Sequence, residues 1–266
     1  MADLRTDYEV SRKQTEVDLL SQQRRNQQIM VISLFIILGL VTVLSGTLYW
    51  YYRTIAREKK KSERLLLNIL PAETAKELKL NGKVDAVKFE QVTVLFTDFV
   101  KFSKLAEHAE PEQLVRSIDF YFKAFDEITT KYGIEKIKTI GDSYMCACGL
   151  PTANKTHAGN AIRAAIEMIG LVQKELNAQD DLHHFEVRIG VHTGPVIAGI
   201  VGIKKWQYDI WGDTVNIASR MESMSTPGRI NISETTWHEI KDDFPCEYRG
   251  EIEVKNRGLL KMYFLS

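Results

Sequence analysis

Two hundred and sixty-six residues exceed one ordinary domain and fall short of two, which suits one catalytic-sized unit with attachments. Apolar residues make up 44% and charged residues 26%, a balance that buries a core and excludes wholesale disorder. Thirty-five Lys and Arg offset thirty-five Asp and Glu, so no net field recruits nucleic acid and no nucleic-acid partner is expected. The three Cys are an odd number and make no disulfide framework, which points to a reducing compartment.

Polarity is unevenly spread along the chain. Residues 1–28, with Leu4, Val10, Val17, Leu19 and Leu20 set among Glu, Gln and Arg, read as a polar helical stalk too small for a core. Residues 29–52 (IMVISLFIILGLVTVLSGTLYWYY) carry no charge. At ~1.5 Å per residue they reach about 36 Å, against a hydrocarbon core of ~30 Å. Tyr49, Trp50, Tyr51 and Tyr52 crowd one end, where amphipathic rings settle at a lipid boundary. One transmembrane helix is expected. A cleaved signal peptide would start nearer residue 1 and be shorter.

Arg53, Arg57, Lys59, Lys60, Lys61 and Arg64 follow the run, and only Arg24 and Arg25 closely precede it. The positive-inside bias therefore puts the C-terminal side in the cytoplasm and the stalk outside, giving a single-pass cell-membrane protein. An upstream sensor region or membrane partner is left open. Residues 53–83 form a basic juxtamembrane and transducer segment, in which SERLLLNIL carries Leu65, Leu66, Ile69 and Leu70 before Pro71. Two readings compete there, a short parallel coiled coil and a single helix packing back on the domain.

From residue 84 the period changes repeatedly. Val92, Val94 and Phe96 alternate into Asp98 as a strand, Ser103 is placed as the cap of a short helix, and Pro111 opens a longer one. Residues 134–140 and 143–148 read as two strands across a Gly141-Asp142 turn, and 158–176 as a helix. Residues 185–191 and 196–201 read as a second hairpin through Gly194-Pro195. Residues 214–224 are helical, and short strands finish the chain. This mixture predicts an α+β sandwich, a sheet with helices on one face, of the split-βαβ or ferredoxin-like kind. Cys146 and Cys148 fall on one strand face as core residues, and His183 and His184 in a solvated loop.

Asp98 and Asp142 stand at element ends, where strands deliver side chains to a cleft. Two carboxylates brought together repel, and a hard divalent cation relieves that repulsion. Taken singly, each is as well explained by turn chemistry. Asn216 and Arg220 are four apart on a helix and share a face suited to phosphate and ribose oxygens; a solvated face is the plain alternative. Lys255 by itself is any surface lysine.

FTDFV, EKIKTIGDSYM, RIGVHTGPVIAGIVG and YDIWGDTVNIASRMES, in this order, resemble the class III nucleotidyl cyclases over residues 84–266, and LLLNILP resembles the transducer helix of membrane-anchored members. That resemblance implies a ferredoxin-like cyclase catalytic domain. It assigns Asp98 and Asp142 to two Mg2+ or Mn2+ ions per active site, Lys138 and Asp209 to adenine, Asn216 and Arg220 to the transition state, and Lys255 to the terminal phosphates. The substrate it implies is ATP, the product cyclic AMP, and the assembly a homodimer with composite sites. Adenine presents an amine donor and the N1 acceptor, matched by an Asp acceptor and a Lys donor; guanine presents the opposite pattern. A guanylyl cyclase and a nucleotide-binding regulatory module without turnover are the alternatives.

Overall fold

The computed structural model describes residues 2–178, 181–202, 206–254 and 258–266. The chain divides after Leu65 into two units, each taken here by itself.

The N-terminal unit is helical. The stalk, the uncharged run and the basic collar all lie within one helix, α1 (Ala2–Leu67), with no break where the polarity changes. Its apolar side chains are exposed throughout the uncharged run. Three hydroxyls there find partners within the helix itself. Ser33 donates to the Met30 carbonyl, Thr42 to Gly39 and Thr47 to Leu44, each at 2.8 Å, so these three hydroxyls are satisfied within the helix.

The C-terminal unit begins with Leu66 and Leu70, which turn inward, while Ile69 stays exposed. Helix α2 (Ala72–Asn81) follows Pro71 and stops at Gly82, whose φ of 70° is the left-handed cap that glycine adopts freely. Leu66, Leu70, Ala75 and Leu78 pack on the domain's own sheet.

An eight-stranded sheet organises the rest: β1 (Val87–Phe99), β2 (Glu135–Ile140), β3 (Ser143–Cys148), β4 (Val187–Val201), β5 (Gln207–Trp211), β6 (Ile230–Ser233), β7 (Cys246–Val254) and β8 (Gly258–Leu265). The strand order is β2-β3-β1-β4-β6-β8-β7, with β5 paired to β4 off this path. Between the strands lie α3 (Phe102–Ala106), α4 (Pro111–Lys131), α5 (His157–Glu175), α6 (Asp213–Ser223) and α7 (Glu234–Ile240).

Strand alternation splits the core between two faces. Leu95, Cys146 and Cys148 face a cluster with Tyr121 and Phe125 of α4 and Ile162 and Met168 of α5. Val92, Val94, Phe96, Met145 and Ala147 face the other way, against Ala75 of α2, Ala218 of α6 and Tyr208 and Ile210 of β5. Helices therefore cover both faces, not one as the sequence pattern suggested. The apolar stripes of α4 and α5 were plain; α2 and α6 contribute mainly small residues, which the pattern hides.

Three local expectations are corrected. Residues 185–201 are not a hairpin: β4 runs straight through Gly194-Pro195, pairing with β1 from Phe99↔Val187 to Val87↔Ala198. The glycine makes room for a helix instead of a turn. A Cβ on Gly194 would lie 2.6 Å from Thr214 Oγ1, and that hydroxyl donates to the Pro195 carbonyl. Ser103 does not cap α3, because Phe102 packs into the core against Phe185 and starts the helix two residues before a Ser103 cap would allow. His184 is half-buried, its Nδ1 3.0 Å from the Tyr121 hydroxyl, and the His183 amide donates to Ser117 Oγ, so neither is simply solvated.

The three cysteines are free. Cys146 and Cys148 are fully buried, as their place on one strand face implied, and Cys246 is half-buried.

Candidate active site

Strand β1 is buried from Val92 to Thr97 and then delivers Asp98, half-buried, near its C-terminal end. The β2–β3 turn reaches the same place. Gly141, at φ 64°, allows the tight reversal that presents Asp142, and Ser143 Oγ donates to the Thr97 carbonyl at 2.8 Å, pinning the turn to β1. The two carboxyls are neighbours. Burial raises the Asp142 pKa, and the charge of Asp98 raises it further.

Arg188 is the cross-strand partner of Asp98 on β4, and its Nη2 meets Asp98 Oδ2 at 2.7 Å. Its Nε lies 2.6 Å from Glu222 Oε1 on α6, at ion-pair distance but without hydrogen-bond alignment. Burial pushes the Glu222 carboxyl up to about 7, the Asp98 charge adding to it and Arg188 opposing. Helix α6 approaches β4 closely here: a Cβ on Gly190 would fall 1.8 Å from the Glu222 amide nitrogen.

The donor chemistry suits a hard divalent cation. Asp98 and Asp142 offer adjacent carboxylate oxygens, and among the described residues no group of three or more His, Cys, Asp or Glu is arranged to enclose a metal. Mg2+ and Mn2+ are commonly held in this way, by one or two carboxylates completed by substrate phosphates.

Lys138 and Asp209 meet elsewhere on the sheet. A bulge between Lys136 and Lys138 re-aims β2, and Lys138 Nζ reaches Asp209 Oδ2 at 2.5 Å. Asp209, only 7% exposed, also accepts from the Ile210 amide through Oδ1 at 2.9 Å.

Asn216 and Arg220 are exposed, one turn apart on α6, and neither side chain has an ion pair or hydrogen bond among the described residues. Lys255 lies outside the described residues. The structure thus joins Asp98 with Asp142 and Lys138 with Asp209, and aligns Asn216 with Arg220. No hydrogen bond or ion pair among the described residues links these three groups to one another.

Two residues of the acidic corner, Arg188 and Glu222, were not singled out from the sequence. The usable signal was a charged residue opening the otherwise apolar stretch VRIGV, and an acid two positions beyond Arg220.

The family description "Adenylate and Guanylate cyclase catalytic domain" matches residues 84–266. An "Adenylate cyclase" of Mycobacterium tuberculosis (strain ATCC 25618 / H37Rv) is 37% identical over 231 residues, 84% of this chain and 52% of its own length. A "Guanylate cyclase soluble subunit beta-2" of Rattus norvegicus is 41% identical over 212 residues, 79% of this chain and 31% of its own. The chain therefore spans about half the length of the first relative and about a third of the second. Among solved structures, the adenylyl cyclase CyaB from P. aeruginosa aligns with a TM-score of 0.64 at 32% identity, over 69% of this chain and 96% of that one. The catalytic core of a rhodopsin-guanylyl cyclase with converted specificity, in complex with ATPαS, aligns with a TM-score of 0.65 at 33% identity, over 69% and 98%. With sheet, motifs and relatives in agreement, the chain belongs to the class III adenylyl and guanylyl cyclase catalytic domain family.

Proposed function

We propose that the chain is an adenylyl cyclase, converting ATP to 3′,5′-cyclic AMP and pyrophosphate at composite sites of a homodimer. The observation that carries this reading is the ion pair between half-buried Lys138 and buried Asp209. Asp209 retains lone pairs for the adenine amine, and Lys138 retains N–H donors for N1. Guanine would set its N1–H against the ammonium and its O6 against the carboxylate, leaving buried groups unpaired.

In the reaction the ribose 3′-oxygen attacks the α-phosphorus and pyrophosphate leaves. Asp98 and Asp142 would hold two Mg2+ or Mn2+ ions, which when bound would lower the pKa of that hydroxyl and offset phosphate charge. Arg220 faces the charge that builds on the α-phosphoryl oxygens, Asn216 orients the ribose, and Lys255 meets the terminal phosphates.

A homodimer is supported by the absence, among the described residues, of any hydrogen bond or ion pair joining these groups within one chain. Ile197, Val201 and Trp211 are exposed on one face of the β4–β5 ribbon, and Asp209, opposite Gly199, belongs to that same face. An apolar surface around a base-reading residue supports a site closed by a second copy. Among the described residues α1 alone is long and apolar enough to cross a membrane. We read residues 29–52 as the span, 1–28 as an outer stalk, and residues 53–83 as the juxtamembrane and transducer segment that couples span to dimer, with the domain at 84–266 in the cytoplasm.

The guanylate cyclase relatives favour one second reading, GTP turnover to cyclic GMP. Product formation by the full chain from ATP and from GTP, with Mg2+ and with Mn2+, decides between them. Cyclic AMP from ATP is expected to dominate. A preference for GTP overturns the base assignment, and no product from either nucleotide overturns turnover itself.

A further inference from the structure

We propose that Glu222 is a positioning residue of the cation site: it retains the Arg188 guanidinium when a divalent cation takes Asp98. The inference rests on the reading of Asp98 and Asp142 as cation ligands.

Arg188 divides one guanidinium between two acids, with Nη2 2.7 Å from Asp98 and Nε 2.6 Å from Glu222. Asp98 is thus claimed in advance by a group of the same sign as the cation that is to bind it. Arginine cannot resolve the conflict by losing its proton. A cation arriving at Asp98 and Asp142 sets two further positive charges beside Nη2, and the guanidinium must give up that contact. Stranded without a carboxylate in a half-buried position, it would penalise cation binding directly.

Glu222 removes that penalty. Its residue is 7% exposed, and its backbone is wedged against β4 at Gly190, where a Cβ would lie 1.8 Å from its amide nitrogen, so α6 holds the buried side chain beside Arg188. The Nε contact lacks hydrogen-bond alignment while Nη2 is held by Asp98, which leaves room to improve once Nη2 lets go. Asp98 therefore passes to the cation while Arg188 keeps a counter-ion.

The test is Mn2+ binding to the full chain, purified in detergent without nucleotide, read from the loss of the free Mn2+ signal in electron paramagnetic resonance. Wild type is expected to bind Mn2+ in a manner that Asp98→Ala abolishes. Glu222→Gln is expected to weaken binding about tenfold, because Arg188 then has Asp98 or nothing. Arg188→Gln is expected to bind as tightly as wild type or more so, the competitor being gone. In the Arg188→Gln background, Glu222→Gln is expected to change affinity by less than about twofold.

An equal loss from Glu222→Gln in both backgrounds would mean that Glu222 acts by its charge alone, and overturns the proposal, as does no loss in either. Mn2+ binding that is absent from wild type, or survives Asp98→Ala, removes the cation-ligand reading and the inference with it. Should Glu222→Gln fail to fold, Glu222→Asp replaces it, one methylene shorter. Its smaller loss must likewise vanish in the Arg188→Gln background.

Discussion

At Asp209 two hydrogen bonds already orient the carboxylate, one from Lys138 and one from the Ile210 amide. Removing Lys138 costs more than one contact to the base, because Asp209 keeps its burial and loses its counter-charge. Lys138→Met is expected to lower kcat/KM for ATP by about a hundredfold and to shrink the preference over GTP, measured as the ratio of the two specificity constants. Six of the seven candidate site residues, all but Lys255, are named from motifs that hold them at fixed local spacing, and the structure brings Asp98 beside Asp142 and Lys138 beside Asp209. Arg188 and Glu222 are not so named. Their meeting depends on the β1–β4 register and on where α6 rests against β4, and neither distance is written in local sequence.

Strand β4 shows what local composition does not disclose about an element. Gly194-Pro195 is turn chemistry by composition, yet the strand passes through it, since β1 is long enough to pair on both sides and Thr214 needs the space. Gly190 is a contact of the same kind. Gly190→Ala would drive a methyl into the Met221–Glu222 backbone, and is expected to destabilise the domain by about 3 kcal/mol, read as a shifted denaturation midpoint. His192, two residues on, is buried with its Nδ1 2.7 Å from Ser233 Oγ. Burial pushes its pKa down to about 4, below the ordinary 6.5. Between those values the unfolded chain binds more protons than the folded one. Stability from His192 is thus complete above about pH 6.5 and is lost as pH falls through about 4, by about 3 kcal/mol at most. His192→Gln is expected to flatten the dependence of Tm on pH between 4.5 and 7, and the difference from wild type isolates this residue from His157, shifted the same way.

At the scale of the whole molecule, the proposed site is divided between copies. Asp98→Ala and Arg220→Ala chains are each expected to be inactive. Mixed in equal amounts and allowed to exchange, they should recover about a quarter of wild-type rate, since half the dimers are hybrid and each hybrid has one intact site. Removing residues through Lys61 should leave the melting of the C-terminal unit nearly unchanged, because its core contains no residue before Leu66. Dimer affinity is expected to fall by at least about tenfold, measured by sedimentation, as the span no longer holds two copies together.

The burial of the cysteines carries a practical consequence. Burial pushes the Cys148 thiol up to about 11 and raises those of Cys146 and Cys246 as well, so all three stay protonated in neutral buffer, and protonated thiols are poor nucleophiles. Alkylating reagents and mild peroxide should spare the native protein. One thiol introduced on the N-terminal segment, at Thr15 for instance, would then be the preferred target of a membrane-impermeant maleimide, and labelling of intact cells would test the proposed outer position of that segment.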